Sequence, residues 1–387
     1  MQETKKARRS VFEPVICLTV LFILFGLLAW HMGLINMMNT MLNTAYSLLT
    51  DTVLYIMAIA VIMGALSGVL SEFGVVHVIN RLLSPLMKPL YNMPGAAALG
   101  IVTTYLSDNP AILALADNSE FRSCFKPYQL PALTNIGTSF GMGLIITAYM
   151  ISVSGYCGES LFSAVVIGNI GAIAGSIVST RLMMLLSKGK INKDKSLVER
   201  TVSSDALPIE NSEQDTLGLR ILNSLIDGGK TGVKVGVDIL APVLIVCTFV
   251  MMLTNGSFEN SNFTGAAYEG IGLVPMVLEK INFIFQPLFG FTSINDIAVP
   301  ITALGSAGAA IALVPSLLQT GLATAHDVAV FTAMCMCWSG YLSTHVSMMK
   351  ALNFTELTGS AIISHTIGGV AAGVAANWIF KIFVLWG

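Results

Sequence analysis

Ser107, Asp108 and Asn109 stand together before Pro110, at the centre of an apolar stretch covering 94–117. A carboxylate and an amide at this depth are expensive in lipid unless paired or wetted, so intramembrane positions of this kind point to solute or ion handling. Their oxygens suit one chemistry well: replacing the water shell of a cation or a polar solute. Asp-Asn-Pro is also a good helix start, so Asp108 has a purely structural reading as an N-cap. A second apolar stretch, 294–321, carries Gly305-Ser306-Ala307-Gly308 at its centre. Glycine there permits close backbone approach to a bound group, or tight helix packing.

Two further polar groups lie in apolar surroundings. Asn135, Thr138 and Ser139 precede Gly141-Met142-Gly143, a place for a helix to unwind. Trp338, Ser339, Ser343, Thr344 and His345 recur at spacings of three to six. Interhelical hydrogen bonding is the plain account of each residue taken singly. His365 and Asn169 sit inside the last apolar run of each half; His365 is suited to carrying a proton, although a lone histidine is more often a satisfied packing residue. Asp238 lies near the start of a run, where it suits an interfacial cap. The six cysteines lack zinc-ligand spacing, and Cys335 and Cys337 are two apart on a helix, facing different sides. No metal or other cofactor is expected. Gly228-Gly229-Lys230-Thr231 looks like the end of a phosphate loop, but Ser224 stands where its first glycine belongs, so ATP-driven transport has no support.

The elements that must position these residues are membrane helices. The chain has 387 residues, 54% hydrophobic and only 11% charged, with a mean hydropathy of +0.76. Soluble domains carry about 25% charged residues, so lipid must solvate much of this chain. The net charge of −2, with no basic domain, argues against a nucleic acid polymer as partner. A bilayer core of about 30 Å needs roughly 20 apolar residues per helix. Runs at 15–35, 52–71, 138–154, 160–187, 236–254, 327–349 and 359–385 meet this need. The first is longer than a signal-peptide core and is expected to be retained. The polar interruptions in 94–117 and 294–321 predict re-entrant hairpins, tolerated where protein or a wet cavity supplies partners. Semi-polar stretches at 74–91 and 271–290 suit helices lying at the interface. Polar residues from 188 to 219, rich in Lys, Asp, Glu and Ser, predict a soluble linker.

The two halves read as a repeat. A shift of 198, from Pro89 to Pro287, also places Leu90 on Leu288, Tyr91 on Phe289, Thr104 on Thr302 and Phe140 on Trp338. Both helix-breaking tips coincide under it. The expected architecture is therefore all-α integral membrane. It comprises 1–47 with the first span, a first repeat at 48–187, a linker at 188–227 and a second repeat at 228–387. Each repeat holds three spans and a hairpin, and an odd number of crossings makes the repeats inverted. With the N-terminus in the cytoplasm, only Lys280 and Lys381 among the Lys and Arg residues fall outside, in keeping with the positive-inside tendency. Stretches 36–50, 155–160 and 255–270 then become outer loops.

Leu106-Ser107-Asp108-Asn109-Pro110-Ala111 and Gly305-Ser306-Ala307-Gly308-Ala309 resemble the hairpin regions of the bacterial nucleoside-recognition, or Gate-domain, membrane proteins. That group includes the spore-maturation A and B proteins, whose two polypeptides look like the two halves here joined end to end. It is distantly similar to the concentrative nucleoside transporters. The resemblance covers roughly 48–187 and 228–385 and implies a transporter-like fold with inward-facing hairpins.

The functional expectation is a secondary transporter, not an enzyme, in the cytoplasmic membrane of a bacterium. Its partners would be the bilayer, a small nucleoside-like or other organic solute, Na⁺ or H⁺, and a second copy of the chain. Solute would meet Ser107, Asp108, Asn109, Asn135, Thr138, Ser139, Gly305, Ser306, Ser339, Ser343 and His345, with Asp108 and His365 coupling the ion. A non-transporting receptor or envelope assembly protein of the same fold is the main competitor. An intramembrane enzyme on a lipid-linked substrate, with His345 or His365 as base, is the weaker one.

Overall fold

The computed structural model describes residues 2–109, 111–116, 119–191, 216–257, 262–280 and 282–386. Pro110 and most of the expected linker lie outside them. Among the described residues, six helical runs are long and apolar enough to cross a membrane: Phe12–Met32, Leu34–Glu72, Ala132–Tyr156, Phe162–Ile191, Leu217–Thr254 and Thr355–Leu385. The protein is an all-helical, multi-pass membrane protein. Helices answer the bilayer because each satisfies its own backbone groups internally.

Helix α1 (Gln2–Met32) ends at Gly33, whose φ of 78° lies in the left-handed region open to glycine. Helix α2 (Leu34–Ser47) then continues through a π-turn, Leu48–Val53, into α3 (Leu54–Glu72). The expected outer loop at 36–50 is thus helical. Its polar residues recur at helical spacing and grip the 262–269 segment. Asn36 Nδ2 donates to the Phe263 carbonyl at 2.7 Å, Asn43 Nδ2 to that of Gly265 at 2.8 Å, and Tyr268 N to Thr44 Oγ1 at 2.8 Å.

The first repeat continues with α4 (Val75–Tyr91), whose Val78, Leu82 and Leu86 form an exposed apolar stripe at i, i+4, i+8. Hairpin arms α5 (Ala97–Leu106) and α6 (Ala111–Ala116) follow, then α7 (Ser119–Ser123). A broken span is made of α8 (Ala132–Thr138) and α9 (Gly143–Ser152), and α10 (Phe162–Ile191) closes the repeat.

The second repeat opens with α11 (Leu217–Pro242), which passes through a π-turn at Val243–Cys247 into α12 (Thr248–Thr254). Short helices α13 (Leu273–Glu279) and α14 (Asn282–Phe289) correspond to α4. The hairpin is α15 (Ala298–Ala303) against α16 (Ala307–Ala312), with α17 (Val314–Gln319) beyond it. A second broken span is made of α18 (Ala325–Cys337) and α19 (Tyr341–Ala351), and α20 (Thr358–Trp386) ends the repeat. The run at 327–349 is therefore not one continuous span. Gly340 takes φ 60°, which no α-helix accommodates, and the chain turns there.

The repeat is written in the backbone. Asn92 and Gly290, 198 apart, both carry positive φ just after α4 and α14. Gln129–Gly143 and Asp327–Tyr341, related by the same shift, are each an unbroken run of buried residues. Arg181 Nε donates to the Leu90 carbonyl at 2.6 Å, closing the end of α4, and Asn377 Nδ2 does the same for Leu288 at 3.0 Å.

Inversion follows from helix pairing. Along α3 and α11, Gly64 meets Gly228 and Gly232, Gly68 meets Ser224, and Gly236 meets Met57, so the two long runs that carry the π-turns cross antiparallel. Along α10 and α20, Gly171 meets Ala372 and Ala376 while Gly368 meets Ser179, again antiparallel. Small residues bring these backbones into contact, the usual means of joining helices where lipid offers no hydrophobic drive. Helix α18 packs on both α10 and α20 at the centre.

Candidate functional site

At the first tip the helix stops because Ser107 adopts φ −129° and ψ −109°, outside the α region. Asn109 precedes proline, which disfavours a helical backbone there too. Asp108 Oδ1 accepts from the Asn109 amide at 2.7 Å, leaving the carboxylate half-buried. Helix α6 then folds back, since a Cβ on Gly100 would meet Ile112 Cδ1 at 2.4 Å. At the second tip Ser306, the position equivalent to Asp108, caps α16 by accepting from Ala309 N at 3.2 Å. Gly305 beside it is exposed.

The broken spans meet these tips. Met142 and Gly340 hold left-handed backbone at φ 56° and 60° and separate the two halves of each span. Asn109 is buried between both breaks. Its Nδ2 donates to the Ser339 carbonyl at 2.8 Å, while a Cβ on Gly141 would lie 1.4 Å from its Oδ1. That oxygen is buried and has no hydrogen-bond partner. The second tip joins the same break: Gly340 N donates to the Ala303 carbonyl at 3.0 Å and Leu342 N to that of Leu304 at 3.4 Å. Cys337 Sγ reaches Ser139 Oγ at 3.8 Å, so the two breaks also touch each other. Both tips and both breaks thus form one contiguous unit, with Ser339-Gly340 in common.

Unwound segments of this kind leave carbonyls and N–H groups without helical partners, able to coordinate ions or polar groups. Asp108 adds a carboxylate, and Asp238 on α11 lies near enough for its charge to act on Asp108. Asp238 was expected as a cap, and its closeness to the first tip is invisible in sequence because 130 positions separate the two. Gly308 brings α16 against Ile239, the neighbour of Asp238, so the second tip approaches the same region.

Other predicted site residues sit elsewhere or are already satisfied. Asn135 Nδ2 donates to Ser179 Oγ at 2.8 Å and Ser364 Oγ at 2.9 Å, tying α8 to α10 and α20. Thr138 Oγ1 turns to Met348 Sδ, and Ser139 Oγ donates to the Asn135 carbonyl. These three act as glue beneath the break. Ser343 Oγ donates back to Gly340 O within its own helix. His345 and His365 are fully buried one layer away, ring centroids 4.6 Å apart.

Ser179 Oγ lies 2.8 Å from His365 Nδ1, the spacing of a nucleophile and its base. Both are wholly buried, however, and His365 Nε2 is engaged by the Cys337 carbonyl, so the pair is sealed among side chains. Sequence reasoning did not single out Tyr105. Its ring fills the space that a Cβ on Gly143 would take, and its hydroxyl meets Thr147 Oγ1 and Asn169 Oδ1, both at 3.1 Å. The only hint in sequence was an aromatic hydroxyl placed four residues before Asn109.

No family model matches the chain, and no curated protein matches it. Solved structures similar to it include those of CNTnw, a concentrative nucleoside transporter. A doubly substituted form in an outward-facing state is 12% identical, covers 96% of this chain and 86% of its own, and gives a TM-score of 0.49. An inward-facing substrate-bound state is 13% identical, covers 83% of this chain and 73% of its own, and gives a TM-score of 0.48.

Proposed function

We propose that this protein is a secondary transporter of a small polar solute, nucleoside-like or another small organic molecule, coupled to Na⁺ or H⁺. It would sit in a bacterial cytoplasmic membrane with its N-terminus inside. Solute binds where the two hairpin tips face the two helix breaks. One observation supports this above all others: Asn109 is buried at the junction of the first tip and both breaks, with Oδ1 unpartnered. A buried amide oxygen without a donor costs about 1–3 kcal/mol, which a solute N–H or a cation would recover. Asp108 and the carbonyls flanking Gly340 complete the set of ligands. Inverted repeats meeting at such a point support alternating access, in which the unit opens to one side and then the other.

The test is uptake of radiolabelled uridine, adenosine, an amino acid and an organic acid into proteoliposomes. Uptake of at least one is expected, and Asp108→Ala and Asn109→Ala should each abolish it while the purified variant stays monodisperse. Unchanged uptake in both variants removes the tip from the mechanism. No flux of any solute by the wild-type chain would leave the receptor reading in its place.

A further inference from the structure

His345 has the most unusual surroundings of any polar residue described. It is 0% exposed, and neither ring nitrogen has a hydrogen-bond partner. A neutral imidazole always carries one donor and one acceptor, so both are left unmet. The Tyr341 carbonyl, one turn back, acts on the ring without reaching hydrogen-bond geometry.

Its neighbour His365 is the opposite case. Its Nε2 faces the Cys337 carbonyl, which only accepts, so Nε2 must carry the hydrogen. Nδ1 must then accept from the Ser179 hydroxyl, whose oxygen in turn accepts from Asn135 Nδ2. The chain from Asn135 through Ser179 and His365 to Cys337 runs in one direction with every position used. A second proton on His365 would require the Ser179 hydroxyl to turn away and donate elsewhere. In this arrangement both ring nitrogens of His365 are already engaged, unlike those of His345.

We propose that His345 is a proton-binding site, and that the ion coupled to solute movement is a proton. The coupling half of this rests on the transport reading; the proton site does not. Protonation turns both ring nitrogens into donors and makes the Tyr341 carbonyl a charge-assisted partner for one of them. The Tyr341 ring, edge-on at 5.7 Å, adds an aromatic neighbour for the cation. Titratable or charged groups on the elements packed around the ring are few. They are Tyr341 and the exposed Lys350 on its own helix, His365 on α20, Cys337 at the end of α18, and the exposed Glu356 on the turn Thr355–Leu357. Helix α8 brings only Thr134, Asn135 and Thr138. Among the described residues no carboxylate acts on His345 to hold a proton permanently, so the proton can leave.

The link to solute is mechanical. Helix α19 begins at the break that binds the second tip through Gly340 and Leu342, and His345 lies one turn further along it. Movement of the tip against the break must therefore carry His345 with it. In the state seen here His345 is sealed, so proton exchange belongs to a different arrangement of the same helices. Coupling requires that separation.

Two measurements test this on the full-length chain. In proteoliposomes without Na⁺, wild-type protein should concentrate radiolabelled uridine about tenfold per unit of pH gradient for one proton per solute. In His345→Gln, accumulation should no longer follow the gradient, whatever the exchange rate, whereas His365→Gln should still follow it. Gradient-driven accumulation by His345→Gln at the wild-type level overturns the coupling role. Separately, ¹⁵N-histidine spectra of purified protein, with His345 assigned by the signals lost in His345→Gln, should show its ring passing from neutral to cationic as the pH is lowered over the range in which the protein stays folded. A His345 ring that stays neutral throughout overturns the proton site, including where uridine is not transported at all. If wild type neither concentrates nor exchanges uridine, Na⁺ or no Na⁺, the transport reading for this solute fails while the spectra still decide the site. Should His345→Gln prove polydisperse, His345→Asn takes its place in both measurements.

Discussion

Met142 and Gly340 stand 198 positions apart and hold the same left-handed backbone, φ 56° and φ 60°, one as a buried methionine and the other as glycine. The repeat has kept the conformation and not the residue. At Gly340, a Cβ would stand 3.1 Å from the Gly305 carbonyl and would add the usual left-handed penalty of about 1–2 kcal/mol. Gly340→Ala should therefore lower stability by roughly that amount and loosen the second tip. Met142→Gly relieves a similar strain but empties a core site worth about 2–5 kcal/mol, so burial wins and it too should destabilise. Thermal unfolding of both in one detergent checks the signs; a stabilised Met142→Gly would refute the ordering.

The first break offers a sharper test. A Cβ on Gly141 would sit 1.4 Å from Asn109 Oδ1, closer than any adjustment of the backbone can absorb. Gly141→Ala should push the Asn109 side chain out of place and break its bond to the Ser339 carbonyl. The expected outcome is folded, monodisperse protein that has lost uptake as completely as Asn109→Ala. Gly141→Ala with normal uptake would show that this amide position is dispensable.

How much of this was legible in the sequence depends on the range over which each feature acts. The tips were readable because Ser107-Asp108-Asn109 and Gly305-Ser306 break apolar runs locally. The repeat was readable because proline and glycine punctuation survives where side chains drift. Helix α2 was not. Asn36, Asn39 and Asn43 look like loop residues one by one, and only their spacing of three and four marks a helical face. What that face grips lies more than 200 positions away. His365 misled for a related reason: a histidine in an apolar run looks available until Ser179 and Cys337, from two other helices, are seen to take both nitrogens. Asp238 reads in sequence only as a cap, since its relation to Asp108 exists only after folding.

Glu269 supplies a prediction about the 262–269 segment. It is fully buried and accepts from Thr264 Oγ1 at 2.9 Å, Gly265 N at 2.9 Å and Thr264 N at 3.1 Å. Glu269→Gln keeps the shape but turns one accepting oxygen into a donor facing donors. Losing one hydrogen bond to a charged group costs about 1.5–3 kcal/mol. The melting temperature should fall, and proteolysis within 255–270 should speed up. Unaltered melting would mean that the loop is held by its apolar contacts, such as Phe263, alone.

The contact between α3 and α11 yields the last expectation, and it comes with its own control. A Cβ on Gly232 would lie 2.2 Å from the Ala60 carbonyl oxygen and 2.5 Å from Val61 Cα. These are backbone atoms of the facing helix, so no side chain can rotate aside and the helices must separate. Overpacking of this kind costs about 1–3 kcal/mol even where relaxation is easy, and here the whole seam from Met57 to Ser224 would shift. Gly229, on the same helix, would meet only Val61 Cγ1 at 3.7 Å, an ordinary contact. Gly232→Ala should therefore lose folded protein or melt well below wild type, and Gly229→Ala should be unchanged or slightly stabilised by its better helix propensity. The exposed ion pair Arg220–Glu72 at 2.7 Å marks the scale of an effect that does not matter here: Glu72→Gln should change stability by less than about 1 kcal/mol. If Gly229→Ala and Gly232→Ala behave alike, the backbone contact is not what holds α3 against α11.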